Sequence, residues 1–189
     1  MGSEMCIRDR HQTGRPVLVG THSISESRAL ATQLLEASPD LHRHLQILNG
    51  LQSSDEADIV AAAGLSGAIT IATNLAGRGT DIHVSDDVCV LGGLHVVVAE
   101  CQLSGRMDRQ LVGRAARQGN PGAAQMFVSA DDVLLQQHGL WLAQALRREA
   151  DMFGECSESF DSGLAIVQKA AETAHRNARL DLLKRETQD

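Results

Sequence analysis

Five short apolar runs, each followed by a segment long enough to be a helix, constrain this chain more than any other feature. They are Pro16-Val17-Leu18-Val19-Gly20, His44-Leu45-Gln46-Ile47-Leu48, Ala68-Ile69-Thr70-Ile71-Ala72, Leu94 to Ala99, and Gln125-Met126-Phe127-Val128. The segments between them carry helix-opening signals. Ser23 with Glu26 makes a capping-box pattern for a helix through Glu36, and Ser53 with Glu56 makes another for Asp55 to Ala63. Ser129 and Asp132 open a helix towards Arg148. Apolar strands alternating with helices predict an α/β fold, a parallel sheet with helices on both faces. Val17, Val19, Leu45, Ile47, Ile69, Ile71, Val96, Val98 and Phe127 are expected in its strands. In such sheets ligands collect beyond the carboxyl ends of the strands.

Two glycine-arginine blocks sit at such ends. The first, Ala72-Thr73-Asn74-Leu75-Ala76-Gly77-Arg78-Gly79-Thr80-Asp81-Ile82, follows the third run. The second, Gln110-Leu111-Val112-Gly113-Arg114-Ala115-Ala116-Arg117-Gln118-Gly119, follows the fourth. Glycine lets backbone N–H groups approach a phosphate closely, and fixed guanidiniums meet the charge that develops in phosphoryl transfer. The second block reads as a helix, on which Arg106, Gln110, Gly113, Arg114 and Arg117 share about a third of the circumference. Gly113 in mid-helix would cost about 1 kcal/mol against alanine, which makes sense where a ligand or backbone comes close.

Composition removes several classes of function. A net charge of −7 and only 2% aromatic residues, with no tyrosine, argue against a general nucleic-acid binder. The four cysteines, Cys6, Cys89, Cys101 and Cys156, form neither a C-x-x-C pair nor a tight Cys/His cluster, so reduced thiols are expected rather than a zinc site or a disulfide frame. No apolar run reaches the length of a membrane span.

At the two blocks and their flanks the chain resembles the second nucleotide-binding domain of the SecA preprotein-translocase ATPases, a RecA-like lobe of the P-loop NTPase and helicase kind. The similarity runs from Gly14-Arg15-Pro16-Val17-Leu18-Val19-Gly20-Thr21 through Leu48-Asn49 and Ala68 to Ile82. It continues through Leu91-Gly92-Gly93-Leu94-His95-Val96-Val97, Ser104 to Gly122, and Ser129 to Leu135. More faintly, Gln168-Lys169, Glu172, Arg179 and Leu182-Leu183 match the start of the family's long scaffold helix. Val112 and Gly105 stand where the family usually has arginines, Ala115-Ala116 replaces Ser-Gly, and His83 to Asp87 is acidic where the family is rich in glycine and lysine. These departures resemble a divergent SecA-like branch.

The resemblance implies ATP as substrate and Mg²⁺ as its metal. Gly77, Arg78, Gly79 and Asp81 would face the nucleotide together with Gln110 and Arg106, while Arg114 and Arg117 would act as catalytic fingers on the γ-phosphate. The chain contains no G-x-x-x-x-G-K-[ST] phosphate loop, and its one D-E-x-D string, Asp55-Glu56-Ala57-Asp58, opens the segment read as a helix rather than closing an apolar strand, so it is not taken as the metal box. In this family both belong to the first lobe, which would hold most of the metal contacts, so the chain is expected to be half of an active site and a fragment of a longer protein. The implied partners are that first lobe, a secreted polypeptide and a membrane translocation channel, with a cytoplasmic location peripheral to the inner membrane. Two other readings are the matching lobe of a nucleic-acid helicase and a non-catalytic binding module.

The expected organisation has four parts. Residues 1–10 fit nothing that follows and are set apart as an unstructured or artefactual leader, and residues 11–150 form the RecA-like lobe. Residues 151–163 form a linker, and residues 164–189 begin a long helix.

Overall fold

A computed structural model describes residues 2–49, 56–73, 81–156 and 159–186. The chain divides into two compact units, Met1–Glu100 with Arg109–Phe127, and Cys101–Asp108 with Val128–Asp189.

The first unit is built on five parallel strands: β1 (Val17–Thr21), β2 (Leu45–Leu48), β3 (Ile69–Thr73), β4 (Leu94–Val98) and β5 (Gly122–Met126), in the spatial order β2-β3-β1-β4-β5. Every residue of β1, β3 and β4 is buried. Burial on both faces is the reason these runs are apolar throughout rather than alternating. Val17, Val19, Ile69, Ile71 and Val97 enter one core cluster, and Leu18, Ala72 and Val96 enter another. That period of two assigns the clusters to opposite faces of the sheet. The first face is covered by α1 (Gly2–Gln12) through Ile7 and by α2 (Ile24–Ala37) through Ala31 and Leu34. The second is covered by α3 (Glu56–Ala62) through Val60 and by α5 (Gly105–Val112) through Leu111. The intervening α4 (Asp86–Val90) is one short turn in the acidic stretch. Leu111 rests on Gly20 of β1, in the space that a Cβ there would fill.

Several expectations meet the structure directly. The Ser23 side chain accepts from the Glu26 N–H and the Glu26 carboxylate accepts from the Ser23 N–H, so the first capping box is made in full. Ser53 of the second lies outside the described residues. The stretch expected to be an unstructured leader is a helix, because Ile7 gives it one side chain to bury completely against the sheet. His11 adds a hydrogen bond of 2.7 Å to the Gly67 carbonyl. β5 begins at Gly122, three residues before the apolar run that announced it, and ends one residue short of Phe127. Gly122, Ala123 and Ala124 carry little apolar signal, yet they pair in register with Leu94, His95 and Val96. The Phe127 N–H still donates to the Val98 carbonyl at 2.9 Å.

The second unit holds α6 (Val133–His138), α7 (Leu140–Glu149) and α8 (Asp161–Glu186), around Leu134, Leu135, Leu142, Ala143, Leu146, Leu164, Val167 and Ala171. The single helix expected towards Arg148 is therefore two, and residues 128–149 group with α8 rather than with the sheet. The break is at Gly139, where a Cβ would lie 2.6 Å from a Val167 methyl. Close approach of the α6–α7 corner to α8 requires the smallest residue there. Asp108 is buried, and its carboxylate accepts from the Gln102 N–H at 3.1 Å and from the Gln168 amide at 2.6 Å. The buried positions of α8 end at Ala171, and residues 172–185 are exposed along their whole length.

Candidate functional site

The arginines of the second block are placed by a break in α5. The helix ends at Val112, so the shared face expected through Arg117 does not form, and Gly113 lies just past the helix rather than inside it. The next hydrogen bonds tighten from the α-helical spacing to i−3: Arg114 N–H to Leu111 O at 2.9 Å, then Ala115 N–H to Val112 O at 3.1 Å. Ala116 follows in the left-handed region (φ 53°), and Gln118 is left-handed as well (φ 56°), either side of Arg117. The reason is β5. Its first residue, Gly122, packs against the backbone of the turn, and a Cβ there would come within 2.3 Å of the Ala116 nitrogen. A helix continued through Arg117 would rise about 1.5 Å per residue away from that strand start.

This turn assembles a charged cluster. The Arg117 guanidinium forms an ion pair with the Asp81 carboxylate, and the Gln118 amide donates to the other Asp81 oxygen at 3.2 Å. The Arg117 Nε–H donates to the Gly113 carbonyl at 2.7 Å. These bonds, Arg117 first and Gln118 second, hold the Asp81 carboxyl below the usual carboxylate range. Arg114 is half-buried beside them. Burial first, then the neighbouring Arg117, lowers its pKa, while Asp81 works in the opposite direction. A guanidinium keeps its proton under such pressure. The site therefore offers two fixed cations and one carboxylate, with the Asp81–Arg117 pair partly open to solvent.

Of the residues read from the sequence, the structure brings together Asp81, Arg114 and Arg117. Gly77, Arg78 and Gly79 lie outside the described residues. Gln110 is exposed on α5, and among the described residues no hydrogen bond joins it to the cluster. Arg106 is exposed and falls in the second unit. Gln118 was missed. Its partner Asp81 is 37 positions away, and only a break in the helix turns its amide towards that carboxylate.

A family model described as the SecA P-loop domain matches residues 4–90 and 84–152. The chain belongs to the SecA family. It is 42% identical over 185 residues to protein translocase subunit SecA 3 of Magnetococcus marinus, covering 96% of this chain and 28% of that protein. It is 41% identical over 184 residues to protein translocase subunit SecA of Wolinella succinogenes, covering 94% of this chain and 21% of that one. This SecA chain thus spans about a quarter of the length of these relatives. The family match reaches back to residue 4, inside the stretch set apart as a leader. Among solved structures, E. coli DEAD-box protein SrmB bound to RraA superposes with a TM-score of 0.52 at 24% identity, covering 72% of this chain and 75% of that one. That likeness concerns the fold alone, and the fold is the RecA-like sheet of helicase lobes.

Proposed function

We propose that this chain is the arginine-finger half of a SecA-type motor that couples ATP hydrolysis to polypeptide export across the bacterial inner membrane. The observation that carries the reading is the cluster of Arg114, Arg117 and Asp81. Two guanidiniums, one half-buried and one held by a carboxylate, suit a triphosphate that another surface presents. Each can offer a planar fork to phosphate oxygens, a match that a lysine ammonium cannot reproduce. Asp81 keeps Arg117 oriented until a more highly charged anion competes for it. Transition-state charge spreads over the γ-phosphoryl oxygens, so cations fixed there favour the transition state over bound ATP.

ATP and Mg²⁺ are assigned mainly to a first lobe, because this sequence has no phosphate loop to cradle phosphates. Among the described residues, no group of three His, Cys, Asp or Glu side chains is placed to hold a metal. The remaining partners are a preprotein and a membrane channel, and the motor works from the cytoplasmic side as a peripheral protein. Among the described residues no helix is long and apolar enough to cross a membrane.

The test is turnover in a protein that carries both lobes. Arg114→Ala and Arg117→Ala should each lower ATPase turnover by roughly 10³–10⁵ while ATP still binds. Arg117→Lys should fail with them. Near-normal turnover in both alanine variants overturns the assignment. The chain alone should show no hydrolysis above background, and adding a separately expressed first lobe should restore some, except with Arg117→Glu.

A further inference from the structure

We infer that residues 113–119 form a two-state latch, with Ala116 as its hinge, that exchanges between the looped form holding Arg117 on Asp81 and a helical continuation of α5 that releases it.

Three observations on this segment lead there. The first is a conflict between sequence and backbone. Arg114-Ala115-Ala116-Arg117-Gln118 consists of strong helix formers, yet it leaves the helix, and two of its residues are left-handed. A Cβ in that region meets the carbonyl oxygen, a cost glycine avoids. Ala116 occupies such a position without glycine's freedom, so the looped form is weaker than a glycine there would make it.

The second is an exchangeable acceptor. In a continued α-helix the Gly113 carbonyl would accept from the backbone N–H of the residue four ahead, which is Arg117. In the structure the same carbonyl accepts from the Nε–H of the same Arg117 at 2.7 Å. Helix growth therefore replaces a side-chain donor with a backbone donor at this carbonyl. The guanidinium loses that anchor in the same step.

The third is what holds the looped form. Gly122 leaves room for the Ala116 backbone, and Asp81 binds Arg117 and Gln118. The Asp81–Arg117 pair is partly exposed to solvent, so it can open without burying an uncompensated charge. A local bias towards helix is thus opposed by an open ion pair and by the packing of Gly122 on the turn, so the helical form also lifts Ala116 off the start of β5.

The consequence for the site rests on the reading of Arg117 as a phosphate-facing group. Only the released form has Arg117 free, so the apparent affinity for a polyphosphate is scaled by the released fraction. Asp81→Asn should then tighten tripolyphosphate binding, and Ala116→Gly should weaken it.

The latch itself is tested on the 189-residue chain without nucleotide, by NMR relaxation dispersion at the amides of residues 113–119. The wild type should show exchange with a minor state whose Ala116 carbon shifts are helical. Ala116→Gly relieves the left-handed residue and weakens the helix, and should lower the minor population about tenfold or more. Asp81→Asn should raise it severalfold. Flat dispersion in the wild type, a minor state without helical shifts, or a population unchanged by Ala116→Gly overturns the latch. Absence of tripolyphosphate binding, with the exchange intact, counts instead against the phosphate-facing reading.

Discussion

Strand β1 and the arginine segment 113–119 belong to the same compact unit and follow opposite rules. In β1 each level agrees. Val17 and Val19 prefer extended backbone, and together with Leu18 they are apolar and buried on both faces. In the arginine segment the levels disagree: residues with helical preference sit in a turn, two of them left-handed, and the charged ones are partly exposed. The first pattern stabilises a frame. The second stores a local mismatch beside the residues that carry the charge, which is where strained backbone tends to collect.

Four measurements would break or sharpen this contrast. Ile71→Ala in β3 removes a fully buried side chain and should cost about 2–5 kcal/mol of stability, read as a lower midpoint in urea. A much smaller loss would mean that the frame is loosely packed and the contrast overstated.

The frame should also be sensitive to pH through His95. It is buried on β4, and desolvation, with Arg15 and Arg10 nearby, lowers its pKa from 6.5 to about 4. Neutral in the fold and protonated in the unfolded chain below pH 6.5, it should make stability fall as pH drops from 6.5 towards 4. The limit is on the order of 3 kcal/mol. His95 lies under α1, with its Nε2 at 3.5 Å from the Cys6 sulfur. Deleting residues 2–12 should therefore expose it and flatten the pH profile, as measured by thermal melts across that range.

Gly122→Ala tests the joint between the two regions, since its Cβ would strike the Ala116 backbone. A loss of about 1–3 kcal/mol is expected by equilibrium unfolding, as for other overpacked positions. The smallest effect on stability should come from Asp81→Asn, which touches only the open ion pair. Its melting temperature should stay near that of the wild type while exchange in the arginine segment rises. Because Asp81 titrates below its ordinary value, the pair is present at neutral pH and is lost only as pH falls through that lowered pKa. A large stability loss in Asp81→Asn would show that the cluster belongs to the frame after all.

The same contrast explains what could be read in advance. The central strands and the capping box at Ser23 were legible because local preference and tertiary burial point the same way. Arg114 and Arg117 were recognisable as residues, but the helix assigned to carry them, α5, stops at Val112, short of both. The constraint that ends it comes from Gly122 packing on Ala116, a contact between chain segments that periodicity does not record. β5 was displaced for a related reason: Ala123 and Ala124 enter the sheet by pairing with β4, not by their own preference. At the other end of the chain, one buried isoleucine drew residues 2–12 into the fold, and a single residue leaves no pattern to detect.

The anchoring of α8 has a mechanical consequence. Its buried contacts end at Ala171, while the helix continues to Glu186. At 1.5 Å per residue, the arm beyond Ala171 is about 22 Å long, and its first turn is steadied only at the surface, by Glu172 on Ser104 and by His175 beside His138. Tilting α8 by ten degrees at its anchor would swing the far end by about 4 Å, a displacement comparable to a helical turn. The anchor side chains would travel only a small fraction of that distance. The geometry is that of a pointer needle, in which slight motion at the pivot, near Val167 and Gly139, is read out as a large motion at the tip.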